Sequence, residues 1–229
     1  MSVEAPNRYE ENAVLGSGAQ AMVLELIGAG KRVCELGPAT GYMSAAIFGQ
    51  GNELVAGVEI DPDAAKQAQR WFRTLYVRDL DAIHEDARLP IHDVDVLVAA
   101  DVLEHLKNPD ITLAHMREWM APGGYIVASI PNVAHGSVRL ALLAGTWPVA
   151  PVGLLDATHL RFYTGDGIVR LFDAGGWDID SMYRVTKPIE LSEVPWPQDN
   201  EDFQNIAGLL STIPDALTYQ YVVKARPRA

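Results

Sequence analysis

A run of apolar residues ends in Glu35-Leu36-Gly37-Pro38-Ala39-Thr40-Gly41, an acidic side chain and two glycines at a point where a strand would turn into a helix. Glycine lets backbone approach a ligand closely, and in a doubly wound sheet such a turn lies at the carboxyl edge, where nucleotide-like ligands bind. Downstream, Gly57-Val58-Glu59-Ile60-Asp61 sets Glu59 where a carboxylate accepts from both hydroxyls of a ribose. Asp61, just before Pro62, reads as a helix N-cap instead. Glu85-Asp86-Ala87 and Asp101-Val102-Leu103-Glu104-His105-Leu106 carry further acidic groups, the first suited to accept from an adenine amino group. Each acidic pair alone could be ordinary surface, but four at successive strand ends point to a ligand. The turn lacks the G-x-G-x-x-G spacing of a dinucleotide site, and no Gly-Lys-Ser/Thr follows it, so neither NAD nor a polyphosphate loop is implied.

The elements that must hold these residues alternate as strand and helix, the pattern of a mostly parallel sheet. A first helix is expected over Ala19–Gly28, a strand over Arg32–Leu36 and a helix over Tyr42–Phe48. A strand over Glu53–Glu59, a helix over Pro62–Phe72 and a short third strand near Ala82–Glu85 follow. Asp95–Ala100 has the continuous apolar texture of a strand buried on both faces. Asp110–Met120 reads as a helix stopped by Pro122-Gly123-Gly124, and Tyr125–Ile130 as the fifth strand. Helices over Ser137–Leu143 and Gly165–Ala174, the latter capped by Thr164, precede strands over Asp178–Val185 and Thr218–Ala225. The expectation is one domain over 1–229: an α/β, doubly wound, seven-stranded, mostly parallel sheet. Residues 187–217 form an insertion between its last two strands, a loop with one helix, read as a lid or a homodimer surface.

Of the 229 residues, 48% are hydrophobic and 21% charged, which suits a globular domain with its own core. The net charge of −12 and the lack of a basic stripe argue against nucleic acid as a partner. The single cysteine, Cys34, lies in an apolar run and reads as a buried thiol, consistent with a reducing, cytoplasmic setting. No secretory signal and no membrane-spanning stretch is found, and no membrane partner is expected.

The ensemble is similar to class I S-adenosylmethionine-dependent methyltransferases, with the match running from Glu35 through Gly57–Asp61, Glu85–Ala87 and Asp101–Leu106 to Pro122-Gly123-Gly124. The resemblance implies a Rossmann-like methyltransferase fold and S-adenosyl-L-methionine as cofactor. It further implies that Glu35, Gly37, Ala39, Thr40 and Gly41 hold the methionine moiety and that Glu59 and Ile60 hold the ribose. Asp86 and Ala87 would hold the adenine, and Asp101 the amino-acid end or its nearby water. Pro38 departs from the small residue usual at its position and would stiffen the turn. Tyr9 resembles a tyrosine that closes over the cofactor in related sequences.

Polar side chains concentrate again in Ile130-Pro131-Asn132-Val133-Ala134-His135 and in Leu155-Asp156-Ala157-Thr158-His159-Leu160-Arg161-Phe162. The second stretch resembles a pattern, Leu-Asp-x-Thr-His-Leu-Arg-Phe, of a bacterial subgroup encoded beside sugar- and natural-product-modifying enzymes. Methyl transfer to a hydroxyl of such a small molecule needs near-attack geometry and removal of one proton. His135 and His159 are candidate bases, with Asp156 orienting one of them. Equally open is a buried polar knot in which Arg161 pairs with Asp156 or a main-chain carbonyl. His105 reads as cofactor-side or structural, while Trp147, Trp196, Phe162 and Tyr163 read as pocket wall or core. No metal-ligand spacing is found, so metal-independent transfer is expected. An N-methyltransferase, a cofactor-binding but non-catalytic partner protein and an NAD-dependent oxidoreductase are the rival readings.

Overall fold

The computed structural model describes residues 18–83 and 89–228. Its seven-stranded sheet has the order β3-β2-β1-β4-β5-β7-β6. The strands are β1 (Arg32–Leu36), β2 (Glu53–Glu59), β3 (Leu75–Val77), β4 (Val94–Ala100), β5 (Met120–Pro131), β6 (Trp177–Thr186) and β7 (Thr218–Pro227). β1 to β5 pair in parallel, whereas β7 runs antiparallel between β5 and β6. The helices are α1 (Ala19–Ile27), α2 (Tyr42–Gly49), α3 (Pro62–Ala68), α4 (Pro109–Met116), α5 (Gly136–Leu143), α6 (Gly165–Ala174), α7 (Glu201–Leu210) and α8 (Pro214–Leu217).

Along β4 the side chains from Val96 onward divide between two cores, although this stretch is apolar throughout. Val96 and Val98 pack with Val23, Ile27, Val33 and Ile47 on one face. Leu97 and Ala99 pack with Leu36, Leu103, Leu113 and Trp177 on the other. Such a strand needs helices on both sides, because alternate residues point to opposite faces and neither face tolerates water. The chain order reverses between β1 and β4, so the loops leaving these two strands diverge and open a crevice at the carboxyl edge.

Several local expectations hold. The Asp61 side chain accepts the amides of Asp63 and Ala64 ahead of Pro62 at the head of α3, and Thr164 caps α6 through the amide of Gly167. Cys34 is buried, and burial pushes its thiol far above the ordinary range.

Three expectations are corrected. The third strand is Leu75–Val77, not a segment near Ala82–Glu85; Ala82 closes a single 3₁₀ turn, and residues 84–88 lie outside the described residues. At three residues the strand is too short to show a hydrophobic period. Pro122-Gly123-Gly124 lies inside β5, because the preceding helix ends at Met116 and strand pairing resumes at Met120. A Cβ on Gly124 would meet the Val94 carbonyl oxygen at 2.7 Å, so only glycine lets the irregular start of β5 lie against β4. The insertion between β6 and β7 holds two helices, α7 and α8, where one was expected.

Candidate functional site

β1 ends against both neighbours: Leu36 pairs with Val58 of β2 and with Ala99 of β4. The Gly37 amide donates to the Val58 carbonyl at 2.8 Å, which starts the turn, and Gly37, Ala39 and Gly41 all have positive φ. At Gly41, φ is +89°, and a Cβ would meet Trp71 at 2.9 Å and the Ala68 backbone at 3.1 Å. Glu59, at the end of β2, is buried; its two carboxylate oxygens accept from the Ala39 and Asp61 amides, each at 2.9 Å.

Two cavities lie along this edge, of about 390 Å³ and about 380 Å³, and Gly37, Asp101 and His105 line both. Glu59, Ile60 and Asp79 line the second, which follows β2 and β3. Ala39, Glu104, Asp156, His159, Tyr219 and Gln220 help to line the first. Asp101, with φ +53°, turns the chain out of β4; one oxygen accepts from Ser129 at 3.0 Å and from Gln220 at 2.8 Å. Burial pushes its carboxyl up to about 6, against the pull of those two hydrogen bonds.

Beyond Asp101 a single 3₁₀ turn, Leu103–His105, buries Glu104 to 1% exposure, and among the described residues neither oxygen of its carboxylate has a hydrogen-bond partner. Burial, then the charge of Asp101, raises this carboxyl well above the usual range. The Leu160 and Arg161 amides both donate to the Glu104 main-chain carbonyl, pinning the loop that carries His159. His159 Nε2 lies 3.9 Å from Glu104 Oε1, and its Nδ1 lies 3.3 Å from the Leu154 carbonyl. The His105 and His159 rings meet edge to face at 4.8 Å, and Phe162 and then Trp147 continue the line of rings outside the two cavities.

The residues singled out from the sequence are therefore divided. Gly37, Ala39, Glu59, Ile60, Asp101, Asp156 and His159 line the crevice. Asp156 also accepts the Thr158 amide and hydroxyl, each at 2.7 Å, and Arg161 donates to the Lys107 carbonyl, so the loop is a hydrogen-bonded knot as well as a wall. Glu35, Thr40 and Gly41 do not line the cavities; Glu35 is buried and accepts the Ser44 hydroxyl at 2.6 Å. Tyr9, Asp86 and Ala87 lie outside the described residues. Asp79, after the observed third strand, stands in the crevice where the expectation had put Asp86.

His135 lines neither cavity. It is fully buried at the head of α5, with Nδ1 against the Ser137 hydroxyl at 2.9 Å and Nε2 donating to the Lys187 carbonyl at 2.9 Å. Burial holds its pKa below the ordinary histidine value. It is a cap and a tie to the insertion, and its ring meets the edge of Tyr219, which lines the larger cavity. Trp196 likewise packs with Leu140, Ile189 and Ala207 beneath α7. No residue lining the larger cavity comes from the 187–217 insertion, although Glu193 reaches back to accept the Leu154 amide at 2.9 Å and the Tyr219 hydroxyl at 2.7 Å. Glu104 and Gln220 were missed as site residues. The Asp-x-x-Glu-His spacing is a usable signal for the former, and nothing local marks the latter.

A family model described as a methyltransferase domain matches residues 11–182. A ubiquinone biosynthesis O-methyltransferase of Cereibacter sphaeroides is 27% identical over 179 residues, covering 76% of this chain and 70% of that protein. A tRNA U34 carboxymethyltransferase of Pseudomonas syringae is 28% identical over 165 residues, 67% of this chain but only 50% of the relative's length. In fold the chain is similar to a Burkholderia thailandensis 1,6-didemethyltoxoflavin N1-methyltransferase, solved with S-adenosylhomocysteine. That structure has a TM-score of 0.56 and 18% identity, and the match covers 92% of this chain and 76% of that one. The chain belongs to the methyltransferase-domain family and is an S-adenosylmethionine-dependent methyltransferase. The crevice fits that cofactor: an open glycine turn, a buried acceptor at the end of β2, and two cavities that share Gly37, Asp101 and His105.

Proposed function

We propose that the chain methylates a hydroxyl of a small molecule, such as a sugar, a polysaccharide precursor or a secondary metabolite. The observation that carries this reading is the larger cavity beside the cofactor crevice, where the buried Glu104 carboxyl and His159 stand 3.9 Å apart among its lining. S-adenosylmethionine supplies a sulfonium-bound, electrophilic methyl group. In this reading Glu59 accepts from the ribose hydroxyls, and Asp79 stands at the adenine end. The turn from Gly37 to Ala39 faces the methionine moiety, and Asp101 its amino group. The walls formed by Val152, Leu154, Tyr219 and His159 hold the acceptor, where orientation and loss of a proton govern the rate.

The net charge of −12 and a relative named for O-methylation support a small hydroxyl acceptor over tRNA. The test is calorimetric titration with S-adenosylmethionine, S-adenosylhomocysteine and NAD, followed by labelled methyl transfer to matched panels of hydroxylated and aminated small molecules and bulk tRNA. Label on hydroxyl acceptors supports the reading. Label confined to amines or to tRNA replaces it.

A further inference from the structure

The Glu104 carboxylate poses a problem that the main chain does not solve. It is 1% exposed, lines the larger cavity, and leaves both oxygens without a hydrogen-bond partner among the described residues. A buried carboxyl in that state either keeps its proton or has its charge compensated by something in the cavity. Glu104, His105 and His159 each bring a ligand-type atom into a cluster whose members all lie within 4.8 Å of one another. The gap of 3.9 Å between Glu104 Oε1 and His159 Nε2 is too long for a hydrogen bond. It is within the span of two ligand bonds of about 2.1 Å meeting at one ion.

The surroundings fit the same geometry. His159 Nδ1 lies 3.3 Å from the Leu154 carbonyl, and His105 Nδ1 lies 3.1 Å from the Thr158 carbonyl. Imidazoles that ligate metals are usually oriented in this way, one ring nitrogen held by a main-chain carbonyl. The pinning of the Leu160 and Arg161 amides to Glu104 keeps the two loops in register, so the three groups are held before anything binds.

We infer that Glu104, His105 and His159 form a divalent-cation site with open positions toward the acceptor. The inference rests on the hydroxyl-acceptor reading for its role, not for its geometry. One carboxylate and two imidazoles suit zinc, manganese, iron or cobalt, and three protein ligands leave room for an incoming oxygen. Coordination acidifies the acceptor hydroxyl, whose proton passes to solvent water. The oxygen then forms its bond to the methyl carbon as the carbon–sulfur bond breaks, and the electron pair of that bond stays on sulfur as the neutral thioether. No oxidant or reductant is consumed.

The experiment strips the full chain with chelator and titrates it calorimetrically with Mn²⁺, Zn²⁺ and Co²⁺, recording the visible spectrum of the Co²⁺ form. It is repeated with Glu104→Gln and His159→Gln, and S-adenosylhomocysteine is titrated into each protein. The expected result is one equivalent of ion bound by the wild type, with nitrogen-ligated Co²⁺ bands. Each variant loses more than about 10-fold in ion affinity and keeps its S-adenosylhomocysteine affinity. No ion uptake by the wild type at millimolar concentration overturns the site, as does unchanged uptake by a variant that still binds S-adenosylhomocysteine. If a variant fails to fold, the wild-type Co²⁺ spectrum decides: absence of bands from nitrogen ligands overturns the site. Ion binding with methyl transfer only to nitrogen acceptors upholds the site and overturns the hydroxyl reading.

Discussion

The Glu59 carboxylate accepts the Ala39 amide at 2.9 Å, so the end of β2 clamps the turn that leaves β1. Its other oxygen accepts the Asp61 amide at 2.9 Å, tying the same carboxylate to the start of α3. One side chain thus shapes the glycine turn and presents its remaining lone pairs to the crevice.

Glu59→Ala is expected to weaken S-adenosylhomocysteine binding by more than about 10-fold, since a charge-assisted hydrogen bond contributes roughly 1.5–3 kcal/mol and more than one is lost. Calorimetric titration measures this. Unchanged affinity would remove Glu59 from the cofactor site.

Gly41 has φ +89° and lies against Trp71 and the Ala68 backbone. Gly41→Ala is expected to cost roughly 1–3 kcal/mol of stability from backbone conformation alone, with the contact adding to it, and to impair cofactor binding because the turn shifts. Urea unfolding and the same titration report both effects. A stable variant with normal affinity would show that the turn tolerates a side chain.

For His135→Ala the expectation is a loss of stability of about 1–3 kcal/mol, through the cap on α5 and the bond to the Lys187 carbonyl. Turnover per folded molecule should be unchanged. A stable variant with lost turnover would return His135 to the mechanism.

Glu193 accepts from the Leu154 amide, the Tyr219 hydroxyl and Lys187 Nζ, bracing two lining residues of the larger cavity from outside it. Glu193→Gln is expected to raise KM for the acceptor and to leave S-adenosylhomocysteine affinity intact. Steady-state kinetics with cofactor saturating distinguishes this from a general loss of fold, which would lower both.

Burial pushes the Glu35 carboxyl up to about 7, with the Ser44 hydroxyl pulling the other way. A folded pKa above the unfolded one means that the folded chain keeps a proton the unfolded chain releases. The stabilisation is full below the ordinary carboxylate range and is lost as pH rises through it to about 7, at up to about 1.4 kcal/mol per pH unit. Glu35→Gln removes this contribution, so the stability lost between about pH 5 and about pH 8 should be smaller than in the wild type. Equal slopes by urea unfolding would show that Glu35 titrates normally.

Much of the frame is legible in the residue order. Asp61 before Pro62, Thr164 before α6 and the apolar run of β4 each depend on neighbours within a few positions, so propensity and period reveal them. The glycine turn and Glu59 are legible for the same reason, because a fixed strand-and-helix unit separates them. What the tertiary structure alone decided are meetings between distant segments. β7 inserts between β5 and β6 and delivers Gln220 to Asp101, and the loop after Asp156 folds back to set His159 opposite Glu104. His135, which looked chemical in its polar stretch, is consumed by contacts with Ser137 and Lys187. Local sequence encodes where a strand or helix begins, since those energies are short-range. Which side chains share a buried cavity depends on how the sheet orders its strands, and that is settled only when both faces of the sheet are covered at once.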